Sequence, residues 1–138
     1  MRTITVALGE KTYNIEIAAG LLDQIGAKAR VLSQAVKAAI ISDSNVDPLY
    51  GERLERSLAA SGFEVTRIVF AAGEQSKNLT VLGQVYDELA RAGLTRSDLI
   101  LTLGGGVPGD LGGFAAATFL RGIDFIQVPT SLLAQIDS

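Results

Sequence analysis

The chain has 138 residues, 48% hydrophobic and 20% charged, with a formal net charge of −3, which is one domain's worth of an ordinary globular composition. The acidic balance argues against nucleic acid or an anionic membrane as the main partner. With no Cys and no His, disulfides, Cys-His and Ser-His-Asp nucleophiles and His-ligated metal sites are excluded. No apolar run reaches bilayer length, and the N-terminus alternates instead of forming a signal-peptide core, so a cytoplasmic protein is expected.

Thr3–Leu8 and Thr12–Ile17 alternate around "GEK" and predict an N-terminal β-hairpin. A helix with a ragged period is expected over Ala19–Ser33, and a short strand over Val36–Ile41 that breaks into the polar turn "SDSN". Asp47-Pro48 reads as a helix start, Asp as N-cap and Pro at the first helical position, with Leu54 and Leu58 sharing a face and Gly62 as the stop. Phe63–Phe70 is the next strand, followed by the loop "AAGEQSKN". Leu79–Ala92 carries Leu82, Val85, Tyr86 and Leu89 at helical spacing and stops at Gly93. Leu99–Leu103 is an apolar strand, a helix runs from about Asp110 to Leu120, and Ile123–Val128 is the last strand. Strands alternating with helices predict an α/β fold, a Rossmann-like doubly wound and mostly parallel sheet with the hairpin in front. With no repeat or linker, residues 1–138 read as one domain.

Between the last two strands, Gly104-Gly105-Gly106-Val107-Pro108-Gly109 fits G-x-G-x-x-G in the context that pattern requires, after a strand and before a helix. Glycines let a diphosphate approach the main chain, and the helix N-terminus offers unpaired N–H groups and partial positive charge. The motif departs from the standard one. It follows a late strand, the acidic residue about 20 positions on is Asp124 at the start of a strand, and Pro108 removes one N–H. Asp110 suits a ribose hydroxyl, a nicotinamide amide or an N-cap. The alternative is a glycine-rich connection that only lets the helix pack closely. Neighbouring strand ends add Asp43 and Asn45 for ribose hydroxyls, Glu74 and Lys77 for a ribose and a phosphate, and Thr130 and Ser131. Each loop alone reads as a solvated turn; all four together favour a nucleotide site.

The segments "SDSNVDPLY", "GEQSKN" and "LGGGVPGDLGGFAAATFLRGIDFIQVPTSLLAQIDS" closely resemble 3-dehydroquinate synthase, and the resemblance covers essentially the whole chain. It implies the N-terminal, NAD-binding half of a two-domain lyase of the shikimate pathway. That enzyme converts 3-deoxy-D-arabino-heptulosonate 7-phosphate to 3-dehydroquinate and phosphate, with bound NAD and a divalent metal, zinc or cobalt. The resemblance assigns Asp43 and Asn45 to the adenosine end of NAD, and Glu74 and Lys77 to adenosine ribose and diphosphate. Gly105, Gly106 and Asp110 would line the diphosphate and nicotinamide ribose, with Thr130, Ser131 and Leu133 on the nicotinamide side. Asp137 would touch substrate, and Arg121 would reach substrate phosphate, in some members across a homodimer interface. A helix C-terminal cation is the alternative for Arg121. Two positions depart from the family pattern: Pro108 stands where an aliphatic residue is common, and Ser131 where a threonine is. The family's metal ligands, one Glu and two His, lie in a helical second domain that these residues do not include, so the 138 residues alone are expected to be inactive. The alternatives are another sugar-phosphate cyclase, an NAD-dependent polyol dehydrogenase and a non-catalytic nucleotide-binding module.

Overall fold

The computed structural model describes residues 1–6 and 15–130. Five strands, β1 (Thr3–Thr5), β2 (Lys37–Asp43), β3 (Glu64–Phe70), β4 (Leu99–Gly104) and β5 (Asp124–Pro129), form one sheet in the order β1-β5-β4-β2-β3. Every pairing is parallel. Four helices connect them: α1 (Ile15–Leu32), α2 (Glu52–Ala60), α3 (Leu79–Arg91) and α4 (Gly106–Thr118). Connections running one way across the sheet, β1 to β2 and β2 to β3, use α1 and α2. Those running back, β3 to β4 and β4 to β5, use α3 and α4. A single crossover hand then requires the two pairs to cover opposite faces, and the packing agrees. Leu22, Ile25, Leu54 and Leu58 pack with Ile40, Leu101 and Val128. Leu82, Val85, Leu89 and Ala115 pack with Ile41, Ile100 and Phe125.

Strand β4, with Thr102 its one polar side chain, explains why the middle of the sheet is mostly apolar. All six of its residues are buried, because a central parallel strand has a helix layer on each side. Helix α3 is amphipathic and starts at Asn78, whose Oδ1 accepts the Val81 N–H at 2.9 Å. Helix α4 has no polar face to speak of. Its buried Leu111, Gly112, Ala115 and Ala116 lie against the sheet, and Tyr86 of α3 reaches its far end through Thr118 and the Phe119 ring.

Three expectations are corrected. Ile15–Ile17, expected in the second strand of a hairpin, open α1, and β1 pairs in parallel with β5; the rest of that reading, residues 7–14, lies outside the described residues. Alternation over so short a segment does not distinguish a strand from the first turn of a helix. Asp47 is not an N-cap. A π-helical turn, Asp47–Gly51, precedes α2, and the Asp47 carboxylate is taken by Arg67, with Nε and Nη2 donating at 3.0 and 2.8 Å. Helix α4 starts four residues before Asp110, at Gly106, because Pro108 fits a first turn that needs no donor there. Asp110 is therefore inside the helix and cannot be its N-cap.

At the sheet edge, Asp124 accepts the Arg2 backbone N–H at 2.9 Å and the Arg2 Nη2 at 2.9 Å, which docks β1. Burial pushes the Asp124 carboxyl up, but the Arg2 hydrogen bonds and charge outweigh it and hold it below the usual carboxylate range. A depressed folded-state value means stability that is present above the unfolded value and lost as pH falls through the folded one. Asp124→Asn should cost about 0.5–1 kcal/mol at neutral pH, as an exposed pair with an added backbone bond would. Urea unfolding should show the gap between the two proteins closing once pH drops below the native Asp124 value; a gap that persists in acid would refute the assignment. For the helix layer, a Cβ at Gly112 would lie 2.1 Å from Thr102 Cγ2 on β4. Gly112→Ala should therefore destabilise by about 1–3 kcal/mol through overpacking, read as a lower urea midpoint.

Candidate functional site

In a sheet of this kind the connections leave β2 and β4 in opposite directions, so a crevice opens between their carboxyl ends. The loops that leave these strand ends decide its chemistry.

After β2 the chain turns back on the Asp43 side chain, whose Oδ1 accepts the N–H groups of Asn45 and Val46, both at 2.9 Å. This Asx turn holds a carboxylate that is only 8% exposed and leaves Oδ2 free of any protein partner among the described residues. Asn45 is exposed at its apex. Arg67 fixes the next turn by joining Asp47 to Glu55, whose Oε1 accepts from Nη1 at 3.0 Å. Asp47 draws the Arg67 guanidinium still further toward its charged form than Glu55 does, and partial burial opposes both.

After β4, Gly104 adopts φ +144° and lies where a Cβ would meet Pro108 at 2.9 Å and Val46 at 3.6 Å. Only glycine fits that conformation and that closeness to the β2 turn. Gly105 bridges to α4 with φ −88° and ψ −149°. Gly106, the first residue of α4, is exposed, and a Cβ built there meets nothing within 4 Å. The first-turn N–H groups have no partner in their own helix, so the open space beside Gly106 faces the donor end of α4. After β5, the Thr130 N–H donates to the Gly104 carbonyl at 2.9 Å and pins the third strand end to the same turn.

The loop after β3 joins this set in a way the sequence did not suggest. Ser44 ties it to the β2 turn, its N–H donating to the Phe70 carbonyl and its Oγ accepting from Ala72, both at 2.9 Å. At its far end Lys77 Nζ lies 2.7 Å from Asp110 Oδ2, so two residues expected to face a ligand separately face each other. The hydrogen bond and charge of Asp110, helped by the charge of Glu74, hold the Lys77 ammonium above its ordinary pKa. Glu74 itself is exposed and near this cation. Behind the pair, a groove of about 430 Å³ runs between Leu79, Leu82, Leu111 and Phe114. No local pattern signals the pairing, since the partners are thirty-three positions apart, one in the loop after β3 and one in α4.

Asp43, Asn45, Gly105, Gly106, Thr130 and, through its loop, Lys77 with Glu74 and Asp110 thus lie at the carboxyl ends of the strands, on segments tied to one another. Arg121 does not. It follows α4 and precedes β5, at the amino ends of the strands, and a six-residue strand puts it about 20 Å from the crevice. It is exposed, with Leu120 at φ 50° and Arg121 at φ 68°. That left-handed pair of non-glycine residues is strained, and it takes Arg121 out of the last turn of α4, where a helix-end cation would sit. Asp124 is at the same far edge, committed to Arg2. Ser131, Leu133 and Asp137 lie outside the described residues. Among the described residues no three His, Cys, Asp or Glu side chains gather as a metal site would need, and no helix is long and apolar enough to cross a membrane.

The chain and its fold have counterparts among known proteins. The chain is 52% identical over all 138 residues to 3-dehydroquinate synthase of Clostridium acetobutylicum, and spans 39% of that relative's length. Among solved structures, 2-deoxy-scyllo-inosose synthase complexed with carbaglucose-6-phosphate, NAD+ and Co2+ matches 98% of the chain and 34% of its own, with TM-score 0.77 and 26% identity. The 2-epi-5-epi-valiolone synthase of Streptomyces hygroscopicus, with NAD+ and Zn2+ bound, matches 99% of the chain and 35% of its own, with TM-score 0.71 and 26% identity. The family model for the N-terminal part of 3-dehydroquinate synthase covers residues 67–138, from the middle of β3 through the glycine turn, and the chain belongs to that family.

Proposed function

We propose that these residues form the NAD-binding half of a 3-dehydroquinate synthase, acting on 3-deoxy-D-arabino-heptulosonate 7-phosphate. The observation that carries the reading is the convergence at one crevice of a buried Asx-turn carboxylate, an open glycine at a helix N-terminus and a tethered lysine loop. The dinucleotide fits this set. Asp43 would accept from an adenosine ribose, with Asn45 beside it, and Glu74 would add a second carboxylate. The main chain at Gly105 and Gly106 would meet the diphosphate, whose charge suits the N-terminus of α4 and Lys77. Asp110 would take the nicotinamide ribose, and Thr130, with Ser131 and Leu133, the nicotinamide side. When bound, NAD supplies a temporary acceptor for hydride; the chain's own groups bind and orient it.

The divalent metal named in the family's reaction does not fit these residues. The chain has no His, and among the described residues no three Asp or Glu side chains gather as a carboxylate-only site would need. Metal-assisted steps therefore need groups beyond these residues, and the 138 residues by themselves should release no phosphate from the heptulosonate phosphate with NAD and zinc added. Arg121, too far from the crevice of its own chain, is placed by the same reading at the substrate phosphate of a second copy, so the working enzyme is a homodimer. Asp137 completes the substrate contacts.

The relatives of known structure include cyclases named for other products, so a different sugar-phosphate cyclase is the second reading. It shares the dinucleotide half and differs in substrate.

The deciding experiment is calorimetric titration of the chain with NAD, alone and as Gly106→Val. Gly106 lacks the positive backbone angle of Gly104 and has open space around it, so the variant should keep its unfolding midpoint and lose detectable NAD binding. A folded variant with native affinity would remove the diphosphate from this turn.

A further inference from the structure

We propose that Asp110 determines the selectivity of the site for a dinucleotide over shorter nucleotides, by holding Lys77 in an ion pair that a ligand must replace at both ends. The inference rests on the NAD reading above and concerns which ligand that site prefers.

The pair joins two separate elements, the loop after β3 and the first half of α4, at 2.7 Å. Both side chains are about half exposed, at 45% and 59%, so a ligand can reach either partner without unpacking the core. Among the described residues neither makes another ion pair or side-chain hydrogen bond. Glu74 is the other charge acting on Lys77, and it too is an anion. Lys77 is therefore an ammonium already paired with a carboxylate when the crevice is empty.

Any phosphate that recruits Lys77 must take it from Asp110. A ligand that ends at its diphosphate leaves the Asp110 carboxylate without a partner and facing the new negative charge. A ligand with a second ribose beyond the diphosphate replaces both halves. Its phosphate oxygens accept from Lys77, and its ribose hydroxyls donate to Asp110, the contact carboxylates commonly make with nucleotide riboses. The pair costs the short ligand a contact and costs the long one nothing net. Selectivity built this way needs no clash and no extra binding energy for the preferred ligand. It would keep an abundant mononucleotide diphosphate such as ADP from occupying a site whose adenosine half it matches.

The test is calorimetric titration of the native chain, Asp110→Asn, Lys77→Ala and the double variant with NAD and with ADP. Asp110→Asn should bind ADP about threefold tighter, the scale of an exposed ion pair, while NAD binds more weakly, so the NAD-to-ADP preference narrows. Lys77→Ala should weaken both ligands. In the Lys77→Ala background, Asp110→Asn should no longer improve ADP binding, because the gain runs through the released lysine. An unchanged or weaker ADP affinity in Asp110→Asn overturns the proposal. A gain that survives without Lys77 overturns it too, and leaves plain repulsion between Asp110 and phosphate as the cause. ADP binding that responds to Lys77→Ala and not to Asp110→Asn would remove this role and keep the nucleotide site; no binding of either ligand by any of the four proteins would remove both.

Discussion

The close approach of α4 to the sheet is the constraint on which the site depends. The helix has to leave β4 in one tight turn, lie down on Thr102 with Gly112 at the contact, and still present its first N–H groups outward. A larger residue at Gly112 would lift the helix away from β4, and the turn at Gly104 would open with it. The run of glycine and alanine through α4 is thus a packing device, and the proposed dinucleotide site depends on it. The same closeness sets Gly104 against Val46, which couples the β2 turn to the glycine turn, and pins Thr130 to the Gly104 carbonyl.

The arrangement of charge follows a division between the two ends of the sheet. At the amino ends and on the flanks, carboxylates are taken up by arginines. Arg2 holds Asp124, Arg53 holds Asp23, and Arg67 holds both Asp47 and Glu55. At the carboxyl ends the charges are less tightly committed. Asp43 uses one oxygen for its own turn, and Lys77 with Asp110 forms an exposed pair. Exposed pairs of that kind contribute little to stability, so Lys77–Asp110, like Arg53–Asp23, adds little to the fold. Arg67 is the link between the two regimes: it is structural by its contacts, yet the turn it anchors begins one residue after Val46, which touches the glycine turn.

The sequence was most legible where one physical signal dominated. The apolar run at β4 and the spacing of Leu82, Val85 and Leu89 each had a single reading, and both elements stand where expected. The alternation of strands with helices sufficed for a doubly wound sheet. It was least legible where two signals competed. "TYNIEI" alternates like a strand, but Ile15–Ile17 belong to a helix that continues to Leu32. Asp47-Pro48 has the form of a helix start, but an arginine on a neighbouring strand displaces the backbone at the carboxylate. The capping role passes to Asp43, which serves the turn before it. Long-range pairing is invisible to local pattern, and this is why loops at the strand ends could be read from sequence while the Lys77–Asp110 contact could not.

That contact also bears on how glycine-rich turns should be read. A G-x-G-x-x-G fit after a late strand is ambiguous, because tight helix packing demands small residues as strongly as a diphosphate does. Here the two demands fall on different glycines. Gly112 is filled space, with Thr102 where a side chain would go, and Gly104 is held by its backbone angle and by Pro108 and Val46. Gly106 has neither constraint: its backbone is ordinary for any residue, and the volume beside it is empty. Packing explains the first two and leaves the third without a reason. Gly20 and Gly83 are equally open, so space alone does not mark a site; what sets Gly106 apart is its place at the donor end of a helix, which is what the proposed diphosphate contact needs.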